Sequence, residues 1–275
     1  MIHVSHTRFA ALLALLLILF TGSTQATETT CPRIVSQSPY ITKTLQWLGL
    51  EACIVGVSRY DVLDLPHTGG VLDPDADLIA VLEPDLLFTS DWTDKNKLAA
   101  VTPEGTRSFR LGGFGSMAEI EQNLHTIGNA VGMADIAQRT AQFHHDWLEA
   151  AHRIHGKGKR VLLLSSCSGM PYSFGKERWL SDLFTRAGFV NVETEPKIRH
   201  IRPGQTVATL NALVKKLEPD LLFIFEQTRH KQCAFIAPKT PLTIINLNGE
   251  KFLHPAPVLL EGLAELQQQQ SKWSH

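Results

Sequence analysis

Leu82-Glu83-Pro84-Asp85-Leu86-Leu87-Phe88 recurs letter for letter as Leu217-Glu218-Pro219-Asp220-Leu221-Leu222-Phe223, 135 residues further along the chain. In each copy an amphipathic run meets a proline, which cannot continue a helix, and an apolar stretch starts just after the aspartate. The pattern reads as helix, tight turn and buried parallel strand. Low complexity does not produce this match, because the segment mixes acidic, cyclic, aliphatic and aromatic residues in a fixed order. An internal duplication does.

The flanks repeat as well. Ahead of the first copy come Arg33-Ile34-Val35-Ser36, a helix-like stretch from Pro39 to Leu48, Gly49, the apolar Ile54-Val55-Gly56-Val57, and a loop before a helix over 75–82. Ahead of the second come Arg160-Val161-Leu162-Leu163-Leu164-Ser165, a helix from about 177 to 186, Gly188, Val190-Asn191-Val192, and a loop before a helix over 207–217. Both halves spell β-α-β-loop-α-β. Short Val, Ile and Leu runs bounded by Gly and Pro mark parallel strands covered on both faces. The expected fold class is therefore α/β, with two lobes built on mainly parallel sheets.

Between the halves the character changes. Ser116-Met117-Ala118-Glu119 matches a capping box and predicts a helix to about Val131. After Gly132, Ile136, Thr140, Phe143, Trp147, Ala151 and Ile154 form one apolar stripe on a helix of about 20 residues, about 30 Å long. Such a rod is a rigid connecting helix. His144, His145, His152 and His155 lie along it and read as a solvated face rather than a metal cluster. The organisation predicted is 1–26 export signal, 27–115 N-terminal lobe, 116–157 connecting helical segment and 158–275 C-terminal lobe.

The export signal is read from His3, His6 and Arg8, the unbroken apolar run Phe9 to Phe20, and a small-residue end at Thr24-Gln25-Ala26. The apolar run of 12 residues is short for a membrane span, which needs about 20. Cleavage after Ala26 would leave 249 of the 275 residues, enough for two ordinary domains, in a soluble periplasmic monomer. Cys31 lacks the apolar context of a lipid-anchor site. The four cysteines fall two per half, as suits an oxidising compartment. Cys31 precedes the first strand and Cys53 the second, and adjacent parallel strands bring those ends together, so a bridge between them is expected. Cys167 and Cys233 follow strands of the second half; they pair or remain buried thiols. A net charge of −1, from 26 basic and 27 acidic residues, and the lack of long basic runs argue against a nucleic-acid partner.

In open α/β sheets ligands sit beyond the carboxyl ends of the strands. The loops there carry Ser36-Gln37-Ser38-Pro39-Tyr40, Ser58-Arg59-Tyr60-Asp61, Ser90-Asp91-Trp92, Cys167-Ser168-Gly169-Met170-Pro171-Tyr172, Ile198-Arg199-His200-Ile201-Arg202 and Glu226-Gln227-Thr228-Arg229-His230. Tyr40, Tyr60, Trp92 and Tyr172 would supply flat apolar walls for a large planar or greasy ligand. Arg199, Arg202 and Arg229 would pair with its carboxylates or phenolates. No nucleophile elbow, phosphate loop, zinc-protease helix or dinucleotide fingerprint is present, so catalysis has no motif and no resident cofactor or metal is expected.

These residues together resemble the periplasmic substrate-binding proteins of ATP-driven importers for vitamin B12, iron siderophores and haem. The resemblance is carried by Arg33-Ile34-Val35-Ser36-Gln37-Ser38-Pro39, Leu48-Gly49-Leu50, Ile54-Val55-Gly56-Val57 and Gly69-Gly70-Val71-Leu72-Asp73-Pro74, running into the first heptapeptide. Lys159-Arg160-Val161, Ser173-Phe174-Gly175-Lys176-Glu177 and Leu253-His254-Pro255-Ala256-Pro257 extend it over nearly all of the expected mature chain. It implies two Rossmann-like lobes joined by a long helix. It also implies a transported corrinoid or ferric chelate held between them, and delivery to an inner-membrane ABC permease. It places Tyr60, Trp92 and Tyr172 in ligand-contacting loops, where Tyr60 is a candidate axial haem ligand through its phenolate or else a stacking surface. It also implies a docking acid seven positions before each repeated proline: Asp77 fits, whereas the second half has Ala212, and Lys43 stands where the family usually has glutamate. The alternatives are a transition-metal carrier using His67, His200 or His230, and a sensor or accessory subunit for the same ligand. An enzyme with Cys167 as nucleophile and His200 or His230 as base is the remaining one.

Overall fold

The computed structural model describes residues 31–165, 171–226 and 242–274. The first half forms β1 (Ile34–Ser36), α1 (Pro39–Trp47), β2 (Ile54–Val57), α2 (Ala76–Val81), β3 (Leu86–Ser90), α3 (Lys95–Val101) and β4 (Arg107–Leu111). Its sheet has the order β2-β1-β3-β4 and every pair is parallel. Strand β3 is buried at all five positions, as a strand sandwiched between helical layers must be. The edge strand β4 was not foreseen, since Arg107-Ser108-Phe109-Arg110-Leu111 has the alternation of a half-exposed strand rather than an apolar run.

The second half continues with β5 (Arg160–Ser165), β6 (Tyr172–Phe174), α6 (Trp179–Arg186), β7 (Val190–Asn191), β8 (Ile198–His200), α7 (Leu210–Leu217), β9 (Leu221–Glu226), β10 (Thr243–Asn248), α8 (Gly249–Phe252) and α9 (Leu259–Gln268). Between the halves lie α4 (Met117–Ala130) and α5 (Ile136–His152). The second sheet runs β10-β9-β5-β6-β8, with β7 on the first residues of β5. It is mixed. Strands β10, β9 and β5 are parallel, but β6 runs antiparallel to both β5 and β8. The segments holding Tyr172 and Arg199, expected to be loops, are therefore strands of an inserted antiparallel ribbon. Gly175 makes its closure possible, because a Cβ there would collide with the Lys197 carbonyl.

The repeated heptapeptide builds the same joint twice. Glu83 and Glu218 adopt φ of 44° and 47°, left-handed residues that end α2 and α7 before the prolines. The next residue but one then starts the strand: Asp85 Oδ2 accepts the Arg33 main-chain N–H at 2.7 Å, and Asp220 Oδ2 accepts that of Arg160 at 2.8 Å. The two arginines reach back over the helix ends. Arg33 donates to the carbonyls of Leu82 and Glu83, and Arg160 to those of Leu217 and Glu218. Carbonyls that a helix end leaves without partners are satisfied by a charge of the favourable sign.

The connector is the expected pair of helices, packed together, and α5 has 17 residues, not about 20. Ser116 Oγ accepts from the Glu119 N–H at 3.3 Å, as the capping box requires. The Glu119 carboxylate does not return to Ser116; it accepts from the N–H groups of Gly113 and Gly115, both at 3.0 Å, and pins the loop before α4. Met117, Ile120, Leu124 and Ile127 of α4 and Phe143, Trp147 and Ala151 of α5 belong to one buried cluster that also holds Ile34 and Phe88 of the first sheet and Leu163 and Phe223 of the second. At about 1.5–3 kcal/mol for each large apolar side chain buried, this shared core resists separation of the halves. Cys31 and Cys53 form a disulfide joining the starts of β1 and β2. Cys167 and Cys233 lie outside the described residues. No helix among the described residues is long and apolar enough to cross a membrane; the expected export signal, 1–26, is outside them too.

Candidate functional site

A cavity of about 350 Å³ opens where the two halves meet, beyond the carboxyl ends of β3 and β5. The first half contributes Trp92, which follows β3, and Phe114, from the glycine-flanked loop after β4. The two rings stack at 4.8 Å and 22°, and Trp92 keeps 59% of its surface exposed. Phe114 also meets Tyr40 edge-on at 5.1 Å and, across the gap, Trp179 at 5.6 Å. From the second half come Tyr172 and Phe174 of β6, Ile198 and His200 of β8, and Trp179 and Arg178 at the start of α6. The rings thus form one connected wall, Trp92–Phe114–Trp179–Phe174–Tyr172. Trp179 is fixed by its indole N–H, which donates to the Phe252 carbonyl at 3.0 Å.

The ribbon sets what faces the cavity. Tyr172 pairs with His200, Ser173 with Arg199 and Phe174 with Ile198. Strand alternation sends Tyr172, Phe174, Ile198 and His200 to the cavity and Ser173 and Arg199 to the opposite face. There they grip Glu193, which is 0% exposed. Ser173 Oγ donates to its Oε2, Arg199 Nη2 to Oε1 at 2.7 Å, and the N–H groups of Thr194 and Glu195 to Oε1 at 2.7 and 3.0 Å. Burial works to raise the Glu193 pKa, but the bonds from Arg199 and Ser173 outweigh it and hold the carboxyl below its usual range. The cavity face of the ribbon therefore rests on an ionised, hydrogen-bonded clamp.

Three of the residues expected to touch ligand lie outside the lining. Tyr40 is 2% exposed and its hydroxyl donates to the Leu111 carbonyl at 2.7 Å; burial pushes the phenol well above its usual range. It supports Phe114 from behind instead of forming a wall. Arg199 is 5% exposed and committed to Glu193 and Glu195, so it is not available to a ligand anion. Its position in β8 explains this, because the residue after it, His200, takes the cavity face. Trp92 and Tyr172 do meet in the cavity, and burial raises the Tyr172 phenol. Tyr60 is 67% exposed, outside the lining and beside Gly70; a Cβ at Gly70 would lie 3.2 Å from its ring. Arg59 beside it pairs with Asp73 at 2.6 Å. Arg202 is exposed. Arg229 and His230 lie outside the described residues.

Phe114, Phe174, Trp179 and Arg178 were not foreseen as lining. A signal existed for Phe114, an aromatic set in Gly112-Gly113-Phe114-Gly115. For the others none did, because the ribbon that carries or adjoins them was read as loop. Asp77 is exposed in the first turn of α2. Asp75 caps α2 and Thr209 caps α7, so counting from the caps pairs Asp77 with Asn211 rather than Ala212; Asn211 and Ala212 are both uncharged. Among the described residues no three His, Cys, Asp or Glu side chains converge to hold a metal ion, and His200 is the only one of these types in the lining.

A family model described as periplasmic binding protein matches residues 34–232. No curated protein sequence matches significantly. Among solved structures, the chain is similar to the periplasmic haem-binding protein RhuT of Roseiflexus sp. RS-1, at 20% identity, TM-score 0.70, with 86% of this chain and 97% of that one covered. It is similar to a periplasmic haem-binding protein of Pseudomonas aeruginosa, at 20% identity, TM-score 0.68, with 89% and 94% covered. It is also similar to the periplasmic vitamin B12-binding protein BtuF of Vibrio cholerae, at 18% identity, TM-score 0.67, with 90% and 99% covered. With two α/β lobes, an aromatic cavity between them and a family match across most of both, the chain belongs to the periplasmic binding protein family, a family of solute-binding proteins and not of enzymes.

Proposed function

We propose that this protein captures a corrinoid or ferric chelate, a haem or a siderophore complex, between its lobes and hands it unchanged to an inner-membrane ABC permease. The observation that carries this reading is the aromatic wall running from Trp92 of one half to Tyr172 of the other. Such a wall suits a ligand with a large flat apolar face. The named ligands of the similar structures, haem and vitamin B12, are of that kind. A bare metal ion needs three or four converging donors, and among the described residues the cavity lining offers one imidazole. A metal that arrives inside its own chelate needs at most an axial bond, which His200 can provide.

Export by residues 1–26, lobes over 27–115 and 158–275 joined through 116–157, and docking through Asp77 complete the proposal. Tyr60 and Arg229 are further ligand contacts in this proposal. The uncharged Asn211 and Ala212 favour one second reading, a ligand-binding sensor or accessory protein with a different membrane partner. Co-purification of membrane proteins would separate the two.

The test is titration of the purified protein with ferric protoporphyrin IX, cyanocobalamin, dicyanocobinamide and a panel of ferric siderophores, read by visible absorbance and thermal midpoint. At least one should bind and raise the midpoint. Trp92→Ala should weaken that ligand by about tenfold, since loss of a stacked aromatic contact costs about 0.5–1.5 kcal/mol beyond its buried area. No spectral or thermal response to any of them would sink the reading.

A further inference from the structure

Phe114 stands at the inner end of the cleft. Along the aromatic wall Trp92 is exposed, Phe114 half-buried, and Trp179 and Phe174 buried, so Phe114 lies where the open mouth gives way to the floor. Its ring is held on three sides, stacked on Trp92 and edge-on to Tyr40 and Trp179. The main chain is held as well. The Phe114 carbonyl accepts from Arg178 Nη1 at 3.3 Å, the Gly112 carbonyl accepts from Asn123 Nδ2 at 3.1 Å, and the N–H groups of Gly113 and Gly115 donate to the Glu119 carboxylate. A Cβ at Gly113 would lie 2.7 Å from Asn123 Nδ2 and one at Gly115 would strike Glu119, so only glycines let the loop come this close to α4. A ring fixed through both backbone and side chain does not fold aside to make room.

We propose that Phe114 sets the depth of the cleft and selects a flat chelate over one with bulk projecting from its plane. The inference rests on the aromatic-cleft reading and narrows it. The cavity, about 350 Å³, is near the lower end of the range for ligand sites, about 300–1,000 Å³. A ferric porphyrin presents a flat face or edge to such a floor. A cobalamin carries amide arms on both faces of its ring and a nucleotide loop beneath it, and the fixed ring stands in their way. A built-in clash of this kind discriminates without any added attraction to the favoured ligand.

The full chain, Phe114→Ala and Phe114→Leu are titrated with ferric protoporphyrin IX and with cyanocobalamin by equilibrium dialysis in one buffer, after each variant has shown a cooperative thermal transition. The unmodified protein should bind the porphyrin at least about tenfold more tightly, the low end of what a filled pocket achieves against added bulk. Phe114→Ala should shrink that preference by about tenfold or more, as cyanocobalamin gains and the porphyrin loses about twofold to tenfold with the stacked ring. Phe114→Leu should shift it in the same direction by less, and it keeps the space filled if the alanine variant does not fold. Equal affinity for the two ligands in the unmodified protein overturns the depth limit and leaves the cleft reading standing. A preference that no folded variant changes does the same, including one where both ligands weaken in proportion. Binding of neither ligand by the unmodified protein counts against both.

Discussion

The joint at Glu83-Pro84-Asp85 and the joint at Glu218-Pro219-Asp220 match in dihedral angle, in hydrogen-bond partner and in the arginine that caps them, yet the sheets built on them differ. The first sheet is parallel throughout; the second carries the antiparallel ribbon β6–β8 with a buried acid–base pair beneath it. The comparison separates two tasks. The repeated letters solve a backbone problem, which is to stop a helix and start a neighbouring strand within four residues. The cavity lining is placed by segments that do not repeat: the loop of Phe114, the turn of Arg178 and the ribbon of Tyr172 and His200.

The same contrast holds for an ion pair in each half. Arg59–Asp73 in the first half has side chains 45% and 62% exposed, whereas Arg199–Glu193 in the second has 4% and 0%. Arg199→Met strands a buried carboxylate and should cost about 3–5 kcal/mol in urea unfolding. Arg59→Met should cost about 0–1 kcal/mol. Similar costs for both would erase the distinction. The pH dependence sharpens it. Because the folded Glu193 pKa lies below the ordinary 4.5, its contribution is complete above about that pH and is lost as pH falls through the folded value. The cost of Arg199→Met should therefore be constant between about pH 6 and 8 and shrink under acid, in denaturation curves taken across that range.

If the joints are energetically as well as geometrically equivalent, Arg33→Ala and Arg160→Ala should each cost about 1.5–3 kcal/mol. Their costs should agree within about 0.5 kcal/mol and add in the double variant, being at separate sites. A large inequality would show that one half has come to depend less on its joint. The smallest effect belongs to the left-handed residues. Glu83→Gly and Glu218→Gly remove a Cβ from φ values of 44° and 47° and should each stabilise by about 0.5–1 kcal/mol, raising the thermal midpoint.

Much of this fold was legible because parallel strands, helix ends and their prolines leave local marks. The heptapeptide, the apolar runs and the stripe from Ile136 to Ile154 each report on residues close together in the chain. The bridge between Cys31 and Cys53 followed from the same logic, since adjacent parallel strands bring their starts together. The ribbon left no such mark. Three-residue strands such as Tyr172-Ser173-Phe174 and Ile198-Arg199-His200 are too short to show a period, so the inward and outward faces of Arg199 and His200 could not be told apart.

By itself, then, the sequence determined two α/β halves built on one duplicated joint, a helical connector, and aromatic residues just after the strand ends. Only the tertiary structure decided which side chains share the cavity. It drew Tyr40 into the core and turned Arg199 onto a buried acid, and it brought Phe114 and Arg178 together from opposite halves. The reason is physical: helix and strand signals arise from near neighbours, whereas a site between lobes is made by residues 64 positions apart that meet only when both sheets have packed on α4 and α5.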